Sequence, residues 1–552
     1  MTDPAGTTAA ARLVATLRAH GVDRVFCVPG ESFLPVLDGL ADAGIDLVTC
    51  RHEGGAAFMA LADAKLTGTP GVVLVNRGPG ATNAAIAVHS ADLDATGLLL
   101  IVGDVPTAER GRRSFQELDH QGTFAGMSRG VFTVGHPHHV AEFTARALAA
   151  ARGGVPGPAV LVVPEDVLTA PVPVSGSGAP VATEVPPAPA DAIDRTLALL
   201  SASRRPVLVA GSQVDTPQGR RALKVTAHRH RLPVLVTNKR QDLYDNTDPL
   251  YAGHLHLATP AHQRDLVGRA DLVLAVGTRL DAVSTQRYTL PDPGTALVHV
   301  YPDATVPGGA YRPRLAYACS PAAFLEQLAA APPRAIVDDD WVRQLADHEA
   351  EQAQWTPVTA GDGVVFGRVV AVLSDLTSGR GVVTVDAGNF TSWVHRYHRV
   401  VEEGRLLGIG SSAMGFGVPA GVAAALRHPE QPTVVFVGDG GFLMTGSELA
   451  TAVQRHARVV IVVADNGSYG TIRQHQERRS PGRVVGTDLT NPDFALLAHA
   501  YGALGLTIGT DAEVEPVLSK ALAHPGPVVV HVRTSLTHIS AYQRLTDLGR
   551  VR

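Results

Sequence analysis

The stretch 433–468, TVVFVGDGGFLMTGSELATAVQRHARVVIVVADNGS, decides the fold. One apolar run ends in Gly438-Asp439, a helical segment follows, and a second apolar run ends in Asp465-Asn466. Runs of Val and Ile without alternation are typical of strands covered by helices on both faces, so the stretch predicts two parallel strands joined by a helix. Because the carboxyl ends of parallel strands meet at one edge of a sheet, we expect Asp439 and Asn466 to lie close together.

The residues at this edge suit a hard cation. A carboxylate and a side-chain amide are oxygen ligands of the kind that Mg2+ prefers, with phosphate or water completing an octahedron. Thr445 and Glu448 have the spacing of a capping box, which predicts that a helix begins there. An ordinary strand-loop-helix turn explains the stretch equally well when it is taken alone.

Apolar runs alternate with amphipathic stretches along the whole chain, which predicts the α/β class. Nine runs predict buried strands, at 72–75, 98–102, 159–163, 207–210, 272–276, 382–385, 433–437, 459–463 and 528–532. Stretches rich in Pro, Gly, Ser or acidic residues, 170–191 and 329–340, predict interdomain linkers. We therefore expect three doubly wound parallel-sheet domains: an N-terminal one at 1–170, a central one at 192–330 and a C-terminal one at 345–552.

Charge and cysteine content argue against several classes of function. The 552 residues carry 47 Lys and Arg against 52 Asp and Glu, and no run is basic, so nucleic acid and membranes are poor partners. Cys27, Cys50 and Cys319 have no CxxC spacing, which argues against a disulfide framework and a zinc site. No signal-peptide pattern opens the chain and no apolar run is long enough to span a bilayer. We expect a cytoplasmic protein.

Motifs in this chain resemble, in order, those of thiamine-diphosphate-dependent enzymes, and most closely those of the acetolactate synthases. Gly438-Asp439-Gly440 followed by Asp465-Asn466 resembles the family's diphosphate and Mg2+ signature, with Asp465 in place of its first Asn. The other matching segments are Arg51-His52-Glu53, Gly78-Pro79-Gly80-Ala81-Thr82-Asn83, Ser114-Phe115-Gln116-Glu117 and the glycine-rich GSSAMGFGVPA at 410–420. The resemblance covers nearly the whole chain and implies a pyrimidine-binding N-terminal domain and a diphosphate-binding C-terminal domain.

The resemblance implies a role for each matching residue. Glu53 is the catalytic carboxylate that bonds the aminopyrimidine ring of the cofactor. Asp439, Asn466 and a main-chain oxygen of Ser468 hold Mg2+. Ser412 and Met414 contact the pyrimidine, and the Met414 side chain lies beneath the bent cofactor. The other residues expected to bind the cofactor are Pro29, Gly78, Asn83, Asn389, Gly438, Gly440, Gly441, Tyr469 and Gly470.

Departures from the acetolactate synthases cluster where substrates would meet the cofactor. Phe390 lies in a segment that replaces their Gln-His-Gln-Met-Trp, Glu31 stands in their Pro-Gly-Gly turn, and Asn76-Arg77 replaces the Thr-Ser before their Gly-Pro-Gly. We expect substrate contacts from Glu31, Asn76, Arg77, Gln116 and Phe390. Glu31 either handles a proton as a catalytic residue or is a surface turn acid, and Arg77 either meets a substrate carboxylate or pairs with a nearby acid.

The function implied is decarboxylation of a 2-oxo acid with ligation of the resulting enamine to a second carbonyl, by a transferase or lyase. The family also implies a homodimer or homotetramer with sites between subunits. A simple 2-oxo-acid decarboxylase and a lyase acting on a 2-hydroxyacyl compound or 2-hydroxyketone remain alternatives. Retention of Glu53, Asp439 and Asn466 counts against a non-catalytic homologue.

Three further patterns narrow the choice. Gly415, Gly417 and Gly421 give GxGxxxG, which is not the GxGxxG fingerprint of NAD-dependent dehydrogenases. Acetolactate synthases carry FAD, but this chain has Gly253-His254-Leu255-His256 where their Gly-Met-His-Gly would stand, so we expect no bound FAD. A second Gly-Asp-Gly, at 361–363, follows no apolar strand, and we predict that it lies in the loop entering the third domain.

Overall fold

The computed structural model describes residues 7–173, 179–180, 184–334 and 336–548. Three six-stranded parallel sheets, one for each third of the chain, are flanked by helices, which confirms the predicted α/β class and three-sheet architecture. The linker predicted at 170–191 lies partly outside the described residues, and so does one residue of that predicted at 329–340. Among the described residues no helix has both the length and the apolarity needed to cross a membrane.

The first domain contains a sheet of strand order β3-β2-β4-β5-β7-β6 and a short antiparallel pair of β1 with β8. Its elements are β1 (Thr7–Thr8), α1 (Ala9–Ala19), β2 (Arg24–Cys27), α2 (Leu34–Ala43), β3 (Asp46–Thr49), α3 (Glu53–Thr67), β4 (Gly71–Asn76), α4 (Arg77–Asp94), β5 (Leu98–Asp104), α5 (His120–Phe124), β6 (Val131–Thr133), α6 (Val140–Arg152), β7 (Pro158–Pro164), α7 (Glu165–Thr169) and β8 (Pro171–Val172).

The middle domain has strand order β11-β10-β9-β12-β13-β14. Its elements are α8 (Ala192–Ala202), β9 (Pro206–Ala210), α9 (Pro217–His230), β10 (Val234–Val236), β11 (Tyr251–His254), α10 (Ala261–Val267), β12 (Leu272–Val276), β13 (Ala296–Val300), β14 (Leu315–Tyr317), α11 (Pro321–Ala330) and α12 (Asp339–Gln352). Helix α12 follows the second predicted linker, yet its Trp341 and Leu345 are buried in the middle core.

The third domain has strand order β16-β15-β17-β18-β20-β19. Its elements are α13 (Phe366–Thr377), β15 (Val382–Val385), α14 (Thr391–Tyr397), β16 (Arg405–Leu407), α15 (Gly417–Arg427), β17 (Thr433–Gly438), α16 (Asp439–Thr445), α17 (Leu449–Gln454), β18 (Val460–Asp465), α18 (Gly470–Arg479), α19 (Phe494–Tyr501), β19 (Leu504–Ile508), α20 (Val514–Ala523) and β20 (Val528–Arg533).

The nine predicted strand runs are all strands, because each is a buried central strand with an almost wholly apolar sequence. The short strands at the sheet edges were not predicted, since runs such as Arg405–Leu407 offer only three residues of pattern. The capping box predicted at Thr445 and Glu448 is wrong. Helix α16 begins at Asp439 and ends at Thr445, and Glu448 lies in a 3₁₀ turn, Gly446–Glu448, because the buried Glu448 carboxylate bonds outside its own helix.

The first and third domains share one apolar core. Helix α3 packs along α15, where Phe58 meets Phe416 edge-on with ring centroids 5.7 Å apart. Beside this contact the buried Lys65 donates to Asp94, and Asp94 accepts a 2.7 Å hydrogen bond from the Gly410 main chain. The first domain therefore holds the start of the glycine-rich loop of the third.

One smaller prediction is also confirmed. The second Gly-Asp-Gly lies in a loop before α13, where Asp362 accepts hydrogen bonds from Ser535 and Thr537. The three cysteines are buried free thiols.

Candidate active site

The carboxyl edge of the first sheet gathers three of the predicted residues. Glu31, Glu53 and Asn76 follow or end the strands β2, β3 and β4, and β2 pairs in parallel with both of the others. Parallel neighbours end at the same edge, so sequence segments that are far apart converge here.

Glu53 is the first residue of α3 and is half-buried. Asn83 Nδ2, on α4, donates to Glu53 Oε2 at 2.9 Å. The other oxygen, Oε1, faces Gly80, where an added Cβ would lie 3.5 Å away. His52 caps α3 by accepting from Gly54 N at 3.0 Å, which is a structural role. The carboxylate is therefore fixed through one oxygen, and the other has no protein hydrogen bond among the described residues.

Glu448 holds the turn before Glu53. Its fully buried carboxylate accepts from the main-chain N–H groups of Arg51 and His52, each at 3.0 Å, and from Thr451 Oγ1 at 2.7 Å. Burial raises the pKa of Glu448, and the hydrogen bonds counter that effect. This contact was not predicted, because nearly 400 residues separate the partners in the chain.

Glu31 lies in a polar cluster with the other N-terminal substrate candidates. Asn76 Nδ2 is 3.2 Å from Glu31 Oε2 and 3.4 Å from Gln116 Oε1, and Gly78 N donates to the Gln116 carbonyl at 2.9 Å. The pKa of the exposed Glu31 carboxyl is below its usual value. The hydrogen bond with its own main-chain N–H lowers the pKa most, and Asn76 and Arg77 lower it further.

Arg77 already has acidic partners. Its Nη2 is 2.9 Å from Glu165 Oε2, and its Nη1 is 3.8 Å from Glu31 Oε1. The Pro29-Gly30 turn closes on the same cluster, since a Cβ on Gly30 would come within 2.5 Å of the Asn76 side chain. The structure thus brings together Glu31, Asn76, Arg77 and Gln116, but Phe390 lies on the third domain.

The carboxyl edge of the third sheet carries the second group. Strands β17 and β18 are parallel neighbours, as predicted, with Gly438 opposite Ala464, so Asp439 and Asn466 follow at one edge. Asp439 is buried, and its two carboxylate oxygens accept from Gly440 N at 2.9 Å and Asn491 Nδ2 at 2.8 Å. Burial and the neighbouring Asp465 raise the pKa of Asp439 to about 6, so a bound cation would hold it ionised.

Asp465, where the family motif has Asn, bonds to protein groups. Its carboxylate accepts from Asn491 Nδ2 at 2.8 Å, from Gly467 N at 3.0 Å and from His531 Nε2 at 2.8 Å. Burial alone would raise the pKa of Asp465, but the bonds from His531 and Asn491 hold it below its usual value. Asn491 and His531 were not predicted, because nothing in the sequence marks them as neighbours of this turn.

Asn466 and Ser468 fit a divalent cation. Ser468 N donates to Asn466 Oδ1 at 3.1 Å, and Gly467 between them has φ +63°, a turn that favours glycine. The bridge from Ser468 to Asp488 uses the Gly467 carbonyl and Tyr469 N–H, leaving the Ser468 carbonyl outside it. Among the described residues, no three His, Cys, Asp or Glu side chains are grouped as a metal site. Mg2+ does not need such a group, because amide, main-chain and phosphate oxygens also bind it.

Two glycines let the surrounding segments meet closely. A Cβ on Gly440 would lie 2.5 Å from the Tyr469 ring and 3.4 Å from Met414 Cε, and one on Gly470 would lie 3.1 Å from both Asn389 and Asn466. These approaches bring the ends of β17 and β18 close to the glycine-rich loop and to Asn389.

Three other predicted residues border the same region. The main-chain N–H of Asn389 donates to Thr471 Oγ1 at 2.9 Å, which fixes the position of Asn389. The Phe390 ring packs on Gly438, where an added Cβ would lie 3.3 Å from it. A Cβ added to Gly441 would lie 3.3 Å from the Asp386 side chain.

Asp386 organises the glycine-rich loop. It is buried after β15, and its carboxylate accepts from Gly415 N at 3.0 Å and Gly417 N at 2.9 Å. Burial raises the pKa of Asp386. Ser412, in the same loop, has φ +52°, and Met414 is half-buried beside it. Asp386 was not predicted, because its partners are main-chain N–H groups, which leave no pattern in the sequence.

The two groups remain apart within one chain. Among the described residues, no hydrogen bond or ion pair joins the Glu53–Asn83 pair to the Asp439–Asn491 pair. Each group occupies the carboxyl edge of a different sheet.

Comparisons with known proteins agree with this architecture. Family models of the thiamine pyrophosphate enzymes match all three parts: the N-terminal TPP binding domain at residues 7–123, the central domain at 193–328 and the C-terminal TPP binding domain at 386–532. The large subunit of acetolactate synthase isozyme 2 from Escherichia coli is 31% identical over 525 residues, covering 94% of each chain. The catabolic acetolactate synthase of Raoultella terrigena is 30% identical over 541 residues, also covering 94% of each. The chain therefore belongs to the thiamine-pyrophosphate-dependent enzymes that catalyse decarboxylation and carboligation, as an acetolactate-synthase-like member.

Proposed function

We propose that this chain decarboxylates a 2-oxo acid and joins the remaining acyl unit to a second carbonyl compound, using thiamine diphosphate and Mg2+. Two arrangements carry the proposal. Glu53 is hydrogen-bonded to Asn83 at the edge of the first sheet, and Asp439 and Asn466 follow neighbouring strands at the edge of the third. Both sets have the side chains that this cofactor requires, a carboxylate for its ring and oxygen ligands for its metal.

When bound, thiamine diphosphate supplies the sink for the electron pair that remains when CO2 departs, which no side chain can provide. Glu53 Oε1 would be the atom that shares a proton with the cofactor's ring, because Oε2 is engaged by Asn83. Glu448 keeps Glu53 in place by fixing the two residues before it. The half-buried position at the start of α3 limits water around this proton.

Asp439, the Asn466 side-chain oxygen and the Ser468 carbonyl would hold Mg2+ against the diphosphate. The buried Asp439 lacks a positive partner among the described residues, and a cation would supply one. Gly440 and Gly470 keep side chains out of the space beside these ligands. Met414, packed near Gly440, would support the cofactor from below.

Each complete site is proposed to form between two copies of the chain, in a dimer or tetramer. Exposed apolar side chains accompany both groups: Ile86 and Leu93 lie on α4 after Asn83, and Leu443 and Met444 lie on α16 after Asp439. Leu443 and Met444 are each about half exposed, which is costly in water. Burying them against a second copy would bring Glu53 of one chain to Asp439 of the other.

Carboligation is proposed ahead of simple decarboxylation because the chain matches acetolactate synthases over 94% of its length. Glu31, hydrogen-bonded to Asn76, is proposed to accept a hydrogen bond from the hydroxyl group of the ligated product.

We further propose that the chain binds no FAD. His254 and His256 lie where the Gly-Met-His-Gly motif of FAD-carrying acetolactate synthases has other residues. Their rings stack with centroids 4.3 Å apart, and the ring of His395, from the third domain, lies 4.6 Å from that of His254. Gly211, after β9, approaches Thr278 so closely that a Cβ would lie 2.6 Å away. The ring contacts pack the His254–His256 segment against the third domain at the carboxyl end of β11. A visible flavin absorption band in the purified protein would contradict this proposal.

The decisive experiment is product analysis. The chain is incubated with thiamine diphosphate, Mg2+ and a panel of 2-oxo acids including pyruvate, with and without an added aldehyde, while CO2 and products are measured. We expect CO2 release together with a new carbon-carbon product. Aldehyde as the sole product would assign a simple decarboxylase, and cleavage of 2-hydroxyketones without CO2 release would assign a lyase.

The control is Glu53→Gln, which keeps the shape of the side chain but cannot share the proton in the same way. We expect turnover to fall about 10²- to 10⁴-fold while thiamine diphosphate still binds. Full turnover by this variant would remove Glu53 from the mechanism. Leu443→Glu should dissociate the assembly in sedimentation and abolish turnover, and a fully active monomer would contradict the shared site.

A further inference from the structure

A half-open cavity of about 860 Å3 lies in the third domain, next to the segment that carries Asn389, whose Nδ2 donates to the carbonyl of Ile539 beside the lining. It is bounded by the segment after α12, by the outer face of α14, by the end of α18 and by the C-terminal segment 538–548. None of its lining residues is a proposed ligand of the metal or the cofactor. Its volume is within the range of pockets that bind small molecules.

Aromatic rings form the walls of the cavity. Trp355 and Tyr397 meet edge-on with centroids 5.1 Å apart, and Trp393 stacks on Tyr397 at 6.1 Å. Tyr542, from the C-terminal segment, lies on the other side of the Arg396 guanidinium, which is 5.2 Å from its ring. Such walls offer both faces and edges to a planar ring.

The rim of the cavity is positively charged. Arg478 and Arg544 are exposed there, and the one acid in the lining is Asp547. Arg396 is engaged, donating to the Gln352 carbonyl at 2.9 Å and to the Ala541 carbonyl at 2.7 Å. Arg478 Nη2 donates to Gln543 Oε1, so an anion would meet the remaining N–H groups of Arg478 and the Arg544 guanidinium. Guanidinium groups recognise carboxylates and phosphates through paired hydrogen bonds.

We propose that this cavity is a second ligand site, which binds a planar aromatic or heteroaromatic molecule that carries an acidic group. The ring lies among Trp355, Trp393 and Tyr542, and the acid group meets Arg478 and Arg544. A nucleotide and an aromatic carboxylate share this chemistry.

The chain carries its own reporter for the test. Of its three tryptophans, Trp355 and Trp393 line the cavity, and Trp341 is buried in the middle domain. Tryptophan fluorescence is titrated with ADP and, separately, with benzoate, in protein already saturated with thiamine diphosphate and Mg2+ so that the diphosphate site is filled. Pyrophosphate and acetate, which have the charge without the ring, serve as comparison ligands.

We expect saturable quenching by ADP or by benzoate, and the identity of the stronger ligand distinguishes a nucleotide from an aromatic acid. Arg478→Gln should weaken binding about tenfold, whereas Arg479→Gln, at the next and equally exposed position of α18 but outside the lining, should not. Trp355→Phe should remove most of the quenching. If Trp355→Phe fails to fold, the two arginine variants still decide the question by calorimetry.

Three results would overturn the proposal: no saturable binding of either ring compound, equal binding of pyrophosphate or acetate, or equal losses in the Arg478 and Arg479 variants. Binding should be unchanged in Glu53→Gln. The outcome is therefore independent of whether the catalytic proposal holds.

Discussion

Glu448 of the third domain accepts a 3.0 Å hydrogen bond from the main-chain N–H of His52, the residue directly before Glu53. A second bond from Arg51 N makes the contact a clamp on the turn that presents the candidate catalytic acid. The third domain thus contributes to the first-domain site within the same chain.

Removing this clamp should impair both stability and turnover. Glu448→Ala leaves the N–H groups of Arg51 and His52 without their acceptor in a buried place, which costs about 1–3 kcal/mol for each group that stays unsatisfied. We expect a lower midpoint in urea unfolding and a lower kcat, because Glu53 loses its fixed position.

Two variants separate position from stability in this experiment. Glu448→Gln retains an oxygen acceptor and should recover part of kcat. Thr451→Val removes the 2.7 Å bond from Thr451 Oγ1 to Glu448 and the 3.4 Å contact with the Thr49 carbonyl but leaves both main-chain bonds to Glu448, so it should lower stability with little change in kcat. A Glu448→Ala enzyme with normal kcat would show that Glu53 does not depend on the clamp.

The two Gly-Asp-Gly segments offer a matched pair of variants. Asp439→Asn removes the carboxylate proposed to hold Mg2+, so we expect a higher Mg2+ concentration for half-maximal activity and weaker binding of thiamine diphosphate. Asp362→Asn changes the same tripeptide in the loop bonded to Ser535 and Thr537, and should alter stability alone. An identical Mg2+ dependence in both variants would refute the assignment of Asp439.

Glu31 is best tested by product ratio. Glu31→Gln keeps the bonds to Asn76 available and removes the negative charge near Arg77. If Glu31 handles a proton, kcat should fall and the ratio of ligated product to aldehyde should change. Unchanged turnover and product ratio would leave Glu31 as a surface turn acid.

Buried histidines make stability depend on pH. His254, His256, His395 and His398 lie at the boundary of the middle and third domains, and burial lowers the pKa of each, to about 3 for His256 and about 4 for His398. The folded chain keeps them neutral, whereas the unfolded chain takes up protons below about pH 6.5. The free energy of unfolding should therefore fall as pH drops below about 6.5, until the folded groups titrate.

One group beside these histidines acts in the opposite direction. Burial raises the pKa of Glu349 to about 7, so the folded chain gains a proton there and is stabilised as pH falls from about 7 toward 4.5. Four histidines outweigh this one acid. Urea unfolding at about pH 7.5 and 5.5 should show the net loss, smaller in His256→Gln and unchanged in His89→Gln, which alters an exposed histidine. Equal pH dependence in both variants would contradict the role of the cluster.

Much of the fold follows from local sequence. Long unalternating runs such as 272–276 and 382–385 predict central strands, because a strand buried on both faces needs apolar side chains throughout. The edge strand Arg405–Leu407 escaped prediction for the same reason, since it is short and its first residue is charged and half-buried. The helix start at Thr445 was misplaced because the capping pattern competes with a tertiary contact of Glu448.

The sequence by itself determined the α/β class, the succession of three parallel-sheet domains and the convergence of Asp439 and Asn466 at one sheet edge. Strand apolarity and parallel pairing are local consequences of residue type. Only the tertiary structure decided which distant groups support the site: Glu448 beneath Glu53, Asp386 beneath the glycine-rich loop, and Asn491 and His531 around Asp465. Their partners are main-chain groups or residues far away in the chain. A hydrogen bond of that kind depends on how whole domains pack, and so it leaves no periodic trace in the sequence.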